Sequence, residues 1–412
     1  MSKHFCPMPF VNLEARTDGS MSICCQMDEL INDNGENLSL THNVLTDGWR
    51  SEWLSNLRKD FLDGKKPKSC YSCWTAEDAG IDSKRQRALR DFPNALEEAL
   101  EKKENIKPKS MDLKLGNVCN NKCRICNSFA SSLWVPEEKK RDGSNNLFWD
   151  RMRTVGRWPE TNEAFWEDFE ELSDDLEVLE FYGGEPLLIK RHYDILQDLV
   201  DSGRSKDIKL LYNTNGSIYP ERGLELWPHF KQVMLSWSFD GVGKQFEYIR
   251  HPAKWDEVQN NLQKVLDKNI PNIFVDICYT VGIFNIMYME EILEWRDNFK
   301  ADLPIYFNHV YTPEHFSCKV LPPEVKDAIV EHYKGNDHPD IVSSVKYCTD
   351  VNYDLDKLNM FYSQVRFSDE FRGESFAETF PELYKHLEPW FHAPQTGVLE
   401  TMKIIGLGDV NG

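Results

Sequence analysis

Three cysteines spaced CxxxCxxC, Cys119, Cys123 and Cys126, follow closely on the apolar run Met111 to Leu115. Three thiolates can hold three irons of a [4Fe-4S] cube and leave the fourth iron open, whereas a structural cluster or zinc site normally takes four protein ligands. An incomplete ligand set invites a small molecule. A second group of thiols stands upstream at Cys6, Cys24, Cys25, Cys70 and Cys73, the last two as CxxC. Two separated thiols plus a CxxC make four soft ligands, enough for a complete Fe–S cluster or a structural zinc. Cys278, Cys318 and Cys348 stand apart from both groups.

Three more motifs follow the triplet. Val178 to Phe181 leads into Tyr182-Gly183-Gly184-Glu185-Pro186; then come Tyr212-Asn213-Thr214-Asn215-Gly216 and Ser236-Trp237-Ser238-Phe239-Asp240-Gly241. Triplet, GGEP, TNG and S-x-S-x-D-G in this order resemble the radical SAM superfamily over roughly residues 109 to 315. The resemblance implies that Cys119, Cys123 and Cys126 ligate a [4Fe-4S] cluster whose open iron binds the amino and carboxylate groups of S-adenosylmethionine. A reductant such as flavodoxin or ferredoxin is implied as a partner. Gly183 and Gly184 would let the backbone approach the methionine amino group, and Glu185 would offer that ammonium a charge-assisted acceptor. Ser236 and Ser238 would reach the ribose or carboxylate, Arg250 the carboxylate, and Asn213 and Asn215 the ribose or the substrate.

The first quarter resembles the twitch domain, a shortened SPASM domain that binds an auxiliary cluster in many radical SAM enzymes. The matching residues are Cys6-Pro7 with Phe10, Asp18-Gly19 with Met21 and Cys24-Cys25, Trp49 with Arg58, and Cys70 with Cys73. The order departs from the usual one, because here this segment precedes the barrel. The resemblance implies a second Fe–S cluster, a [4Fe-4S], on Cys6, Cys24, Cys70 and Cys73, with Cys24 favoured over Cys25 by its distance from Gly19. A zinc ribbon without a redox role is the alternative.

These residues need elements to position them. Cys6 to Phe10 and Met21 to Cys25 around the turn Thr17-Asp18-Gly19-Ser20 read as a β-hairpin, and Trp49 to Leu62 as a helix ended by Gly64. Ala95 to Lys103 reads as a solvated helix. From Met111, strand-like and helix-like pieces alternate, with strands expected at 111–115, 177–182, 208–213, 233–239, 273–281 and 303–310. Helices are expected over Tyr193 to Val200, Trp255 to Leu266 and Met287 to Phe299. Six strands match the partial (β/α)6 TIM-like barrel of the radical SAM family, whose sites sit at the C-terminal strand ends. Residues 134 to 160, with Asp142-Gly143-Ser144-Asn145-Asn146, read as an inserted surface loop, and Pro323 to Tyr333, Leu355 to Val365 and Phe376 to Leu387 as helices of a tail crossing the barrel's open side. The tail's aromatics read as core, and Thr396 to Gly412 as loop. The fold class is thus α/β: a Cys-rich α+β twitch domain (1–90), a helical connector (91–108), the barrel (109–315) and a helical C-terminal extension (316–412).

Strand periodicity adds the barrel lining. Val233, Leu235, Trp237 and Phe239 share one face and Met234, Ser236, Ser238 and Asp240 the other. An interior lined by Glu180, Tyr182, Asn213, Ser236, Ser238, Asp276 and Asn308 suggests a polar ligand, because unpaired buried polar groups cost several kcal/mol each. Asp276 is a candidate base for a substrate radical and Cys278 a candidate hydrogen-atom donor.

Composition narrows the class. Lys+Arg 48 against Asp+Glu 68 gives a net charge of −20, which opposes attraction to a phosphate backbone, so nucleic acid is not an expected partner. No apolar run is long enough for a bilayer and Met1 to Cys6 lacks a signal-peptide core, so a cytoplasmic protein with metal-bound rather than disulfide-bonded thiols is expected. Two functions are in play. One is a radical SAM enzyme, oxidoreductase or peptide-modifying, acting on a peptide or protein side chain or a small metabolite; the other is a non-catalytic Fe–S or zinc scaffold that binds a partner.

Overall fold

The computed structural model describes residues 4–78, 80, 82–143, 147–300, 302–350 and 353–391. Among the described residues ten strands form, β1 (Asn12–Ala15), β2 (Met21–Ser22), β3 (Asn32–Asp33), β4 (Glu36–Asn37), β5 (Ser110–Lys114), β6 (Val178–Tyr182), β7 (Lys209–Thr214), β8 (Gln232–Ser238), β9 (Ile273–Val281) and β10 (Ile305–His309). Eight join one sheet in the order β10-β9-β8-β7-β6-β5-β1-β2, and β3 pairs with β4 alone. Neighbours from β5 to β10 are all parallel. All six expected barrel strands are present within a few residues of their expected bounds.

Parallel neighbours need crossovers. Helices Lys190–Asp201, Trp255–Asp267 and Met289–Lys300 provide three of them. The sheet's outer face is apolar, with Leu13, Met111, Leu113, Leu179, Phe181, Leu210, Val233, Leu235, Trp237, Ile277 and Tyr279 all buried. The inner face carries Glu14, Asp112, Lys114, Glu180, Tyr182, Asn213, Ser236, Asp276, Cys278 and Tyr306, several of them open to solvent. Phe274 and Tyr306, on that face, are 48% and 40% exposed.

The N-terminal segment differs from expectation in one strand. Cys6 to Phe10 is not the first arm of the hairpin: Met8–Val11 is a helical turn, with Pro7 before it and Pro9 within its first turn. Proline presets a helical φ and withholds the N–H a ladder needs, so the arm starts at Asn12 instead. The hairpin then closes as expected, with Asp18 Oδ1 accepting from Ser20 N (3.0 Å) and Gly19 at φ +83°. β1 also pairs in parallel with β5, so this segment continues the barrel sheet instead of standing beside it. The expected Trp49 to Leu62 helix is two pieces, Leu45–Trp49 and Glu52–Leu62, parted where Ser51 caps the second by accepting from Leu54 N.

Residues 134–160 are a correction too. They are mainly helical, at Val135–Asp142, Leu147–Val155 and Trp158–Thr161, with 144–146 outside the described residues. Asn117 Nδ2 donates to Met152 O (3.1 Å) and Asn117 N to Gly156 O (3.1 Å), so the excursion braces the chain just before Cys119. Beyond the barrel lie helices Pro323–His332, Pro339–Thr349, Leu355–Arg372, Phe376–Thr379 and Pro381–Phe391, the second of them unforeseen. Phe361, Tyr362, Phe376, Phe380 and Phe391 are buried as core. Thr396 to Gly412 lies outside the described residues.

Candidate active site

The loop carrying Cys119, Cys123 and Cys126 leaves the C-terminal end of β5 and is pinned along its length. Lys122 N donates to His251 O (2.8 Å) and Arg124 N to Ile249 O (2.7 Å). The side chains between the thiols are pinned as well. Arg124, 2% exposed, lies on the Tyr248 ring (3.6 Å to its centroid) and meets Asp369 at 2.7 Å and Glu374 at 2.5 Å. Lys122 meets Glu137 (3.0 Å), which also holds Arg372 (3.0 Å) and Ser368 (2.5 Å). The C-terminal helices thereby clamp the thiol loop. Sequence patterning gave no sign of this, because the partners stand more than two hundred residues away.

Burial pushes all three thiols up, Cys119 to about 12, with neighbouring thiols adding to the shift at Cys119 and Cys126. Thiolates so placed need positive charge, which a metal cluster supplies. Arg250 Nη1 stands 3.9 Å from Cys123 Sγ, and Asn215 Nδ2 stands 3.8 Å from Cys119 Sγ. Soft donors, shared burial and flanking donors fit a cluster. Among the described residues no group of three or more His, Cys, Asp or Glu converges on a single metal ion, so the assignment rests on which thiols lie together.

The GGEP turn presses on this loop. Gly184 N donates to Gly116 O (3.3 Å) and Glu185 N to Val118 O (2.8 Å); a Cβ on Gly184 would come 2.2 Å from Val118 O. Gly183 sits at φ +106°, a conformation natural to glycine alone. Glu185 departs from expectation. Its carboxylate, 1% exposed, accepts from Thr214 Oγ1 (2.9 Å), Asn215 N (2.8 Å) and Leu187 N (3.2 Å), so it ties β6 to the end of β7 instead of lying open to an ammonium. Burial is the largest influence on it and raises its pKa to about 7 despite those donors.

Arg250 also departs from the simple picture: its Nη2 pairs with buried Asp240 at 2.7 Å. Asp240 in turn accepts from Thr280 N (3.1 Å), fixing the end of β8 against β9. Sequence reading placed Asp240 in a motif without giving it a task. Ser238 is the strand partner of Cys278, and Ser236 has Asn213 as partner on one side and Asp276 on the other. Asp276 is half-buried and raised by burial, with a hydrogen bond to Ser236 opposing the rise. Cys278 is buried and shares a hydrogen bond with Tyr306, a lining residue the sequence reading passed over although its strand partner was Cys278.

Cys6, Cys24, Cys70 and Cys73 line one small cavity with Met8, Ile23, Phe61, Trp74, Lys84 and Arg85. Of the two neighbours, Cys24 is buried and lines this cavity, whereas Cys25 is exposed and lies outside that lining. Cys6 is pushed up by burial and then by Cys24, Cys70 and Cys73, which shows the four thiols within electrostatic reach of one another. Four soft donors in one enclosed space fit a fully ligated metal centre. Trp49 and Arg58 hold the adjoining helices, with Arg58 donating to Pro9 O (2.8 Å) and Trp49 O (3.0 Å) and stacked 4.3 Å from the indole.

Residues 113–296 match the family model of the Radical SAM superfamily. That stretch takes in the three-thiol loop, the GGEP turn and the two later motifs, and the family it describes uses S-adenosylmethionine and a [4Fe-4S] cluster. No curated protein matches the chain. Among solved structures, anSMEcpe with bound AdoMet and a Cp18Cys peptide matches at 13% identity and TM-score 0.35, covering 64% of this chain and 60% of that one. This chain's match thus spans about three fifths of that protein's length. Streptococcus suis SuiB bound to S-adenosylmethionine matches at 13% identity and TM-score 0.33, covering 86% and 71%, and SuiB bound to precursor peptide SuiA at 14% and 0.34, also covering 86% and 71%. Likenesses this faint carry no weight for substrate or mechanism. No helix of the described residues is long and apolar enough to cross a membrane.

Proposed function

We propose that this chain is a radical SAM enzyme that cleaves S-adenosylmethionine reductively and abstracts hydrogen from a substrate held in the barrel, a peptide or protein side chain being the first candidate and a small metabolite the second. The observation that supports this most is the gathering of Cys119, Cys123 and Cys126 at the C-terminal strand ends, above an inner face that is polar and open to solvent. When bound, the cluster would supply the electron that splits the sulfonium and yields the 5′-deoxyadenosyl radical. The chain's own residues position that chemistry. Gly183 and Gly184 bring backbone to the methionine amino group, with Glu185 holding their turn in place. Ser236, Ser238 and Asn213 offer polar contacts below it, and Arg250, oriented by Asp240, offers a cation to a carboxylate. In this reading Asp276 is the candidate base for a substrate radical and Cys278 the candidate hydrogen-atom donor to one.

In this reading Cys6, Cys24, Cys70 and Cys73 hold a second, fully ligated [4Fe-4S] cluster in a twitch-like segment, relaying an electron. A cytoplasmic reductant such as flavodoxin or ferredoxin serves the three-thiol site. The test is anaerobic: reconstituted protein with dithionite and S-adenosylmethionine should release 5′-deoxyadenosine and methionine without substrate, slowly, and the Cys119→Ala/Cys123→Ala/Cys126→Ala variant none. Wild-type protein that binds iron but never cleaves S-adenosylmethionine would be a scaffold.

A further inference from the structure

Strand pairing sets three carboxylates side by side on the inner face: Glu14 of β1 opposite Asp112 of β5, and Asp112 opposite Glu180 of β6. Like charges directly opposite on neighbouring strands destabilise a sheet, so such a row is a local rule broken where a site is expected to offset it. Lys114 answers part of it, with Nζ 2.5 Å from Glu14 Oε1 and 2.9 Å from Asp112 Oδ2. The other oxygens are left over. Glu14 Oε2 and Asp112 Oδ1 are buried without a hydrogen-bond partner, on residues 2% and 8% exposed. Arg16 Nε stops 3.9 Å from Glu14 Oε2, beyond hydrogen-bond reach. Burial raises Asp112 to about 7, with Glu14 and Glu180 adding to the rise and Lys114 opposing it. Lys84, which lines the four-thiol cavity, is raised against the effect of burial by charges that include Glu180 and Asp112. The row therefore lies on β1, β5 and β6, within electrostatic reach of a residue that lines the four-thiol cavity.

We propose that Glu14, Asp112 and Glu180 form a substrate subsite that takes a primary ammonium or guanidinium, its N–H groups filling the acceptors on Glu14 and Asp112 that the protein leaves unpaired. This deepens the enzymatic reading and rests on it for the word substrate: the molecule acted upon carries a cation at this depth of the barrel. A cation with several N–H donors suits carboxylate oxygens on two strands better than any neutral group, because bonds between ionised partners are roughly twice as strong.

The test is calorimetry on the full-length, reconstituted protein with S-adenosylmethionine present, using Nα-acetyl-lysine methylamide and its norleucine counterpart, which differ in the ammonium and little else. Wild type should bind the lysine probe at least tenfold more tightly, and Asp112→Asn should bring the preference below threefold. Should Asp112→Asn not fold, Glu180→Gln, on the less buried member of the row, should narrow the preference in the same direction. Equal affinity for the two probes, no measurable binding of the lysine probe, or an undiminished preference in a folded variant would overturn the subsite. The binding measurement needs no turnover. Absence of 5′-deoxyadenosine in the separate cleavage assay would overturn the enzymatic reading and leave the subsite standing as a binding site.

Discussion

The two thiol sites are built by opposite means. The four-thiol cavity is enclosed by Met8, Ile23, Phe61 and Trp74 and gathered from segments within the first quarter of the chain. The three-thiol loop is flanked by Arg250 and Asn215 and held by charged groups brought from the C-terminal helices. A largely apolar enclosure around four thiols, with Lys84 and Arg85 in its lining, suits a closed centre; polar neighbours around three thiols leave room for a charged ligand and for donors that orient it. The contrast is what the proposed function requires if one site stores or relays an electron and the other does the chemistry.

Iron analysis tests the contrast most strongly. Reconstituted wild type should carry about eight irons per chain, two cubanes. Cys119→Ala/Cys123→Ala/Cys126→Ala should keep about half and lose all S-adenosylmethionine cleavage; Cys70→Ala/Cys73→Ala should also lose about half yet still make 5′-deoxyadenosine. Loss of cleavage in a folded second variant would erase the division of labour. Zinc surviving in the first variant would make the N-terminal site a zinc ribbon.

Glycine substitutions sharpen the comparison. Gly184→Ala sets a Cβ 2.2 Å from a backbone oxygen of the thiol loop, which cannot swing aside, so affinity for S-adenosylmethionine should fall more than tenfold by equilibrium dialysis. Gly80, near the four-thiol segment, has a positive φ but nothing within 4 Å of the place a Cβ would take, and its alanine variant should cost about 1 kcal/mol of stability and no iron.

The clamp comes next. Arg124→Met leaves Asp369 and Glu374 without their shared cation, and about 3 kcal/mol of stability should be lost, as when one partner of a buried pair is removed. Denaturant titration checks the loss, and the three-thiol site should release iron before the four-thiol site does.

The last test is a slope. Because Asp112 is raised from 3.8 to about 7, the folded chain holds a proton that the unfolded chain has already lost between those pH values. Its contribution to stability is therefore present at low pH and fades as pH rises from about 4 to about 7, by at most about 1.4 kcal/mol per pH unit. Asp112→Asn should flatten that part of the stability profile; an unchanged profile would mean the carboxyl is ionised throughout.

Much of the barrel was legible because period-two alternation and glycine turns report strand faces and strand ends directly: Val233, Leu235 and Trp237 are buried, and Ser236 and Asp276 line the interior. The acidic row was hidden in plain view. Met111 to Leu115 reads as an apolar run, yet Asp112 and Lys114 alternate within it, and that alternation is the mark of a strand with one polar face. Glu14 carries no such mark, since nothing local shows that residue 14 will lie beside residue 112. Likewise the partners of Arg124 and the inward turn of Glu185 depend on contacts between distant segments, which neither spacing nor propensity encodes.

The parallel pairing of β1 with β5 has a consequence for how the chain reaches this state. Asn12 must wait for Ser110, its strand partner, before the first strand can be placed. Contacts so far apart along the chain form late and slowly, because the intervening loop must close before the pairing rewards it. During synthesis the thiols of the first seventy-three residues are therefore made well before the sheet that seats them. Cutting the chain between the two regions would strip β5 of a neighbour and leave an open edge on the barrel fragment, a surface that invites pairing with other chains.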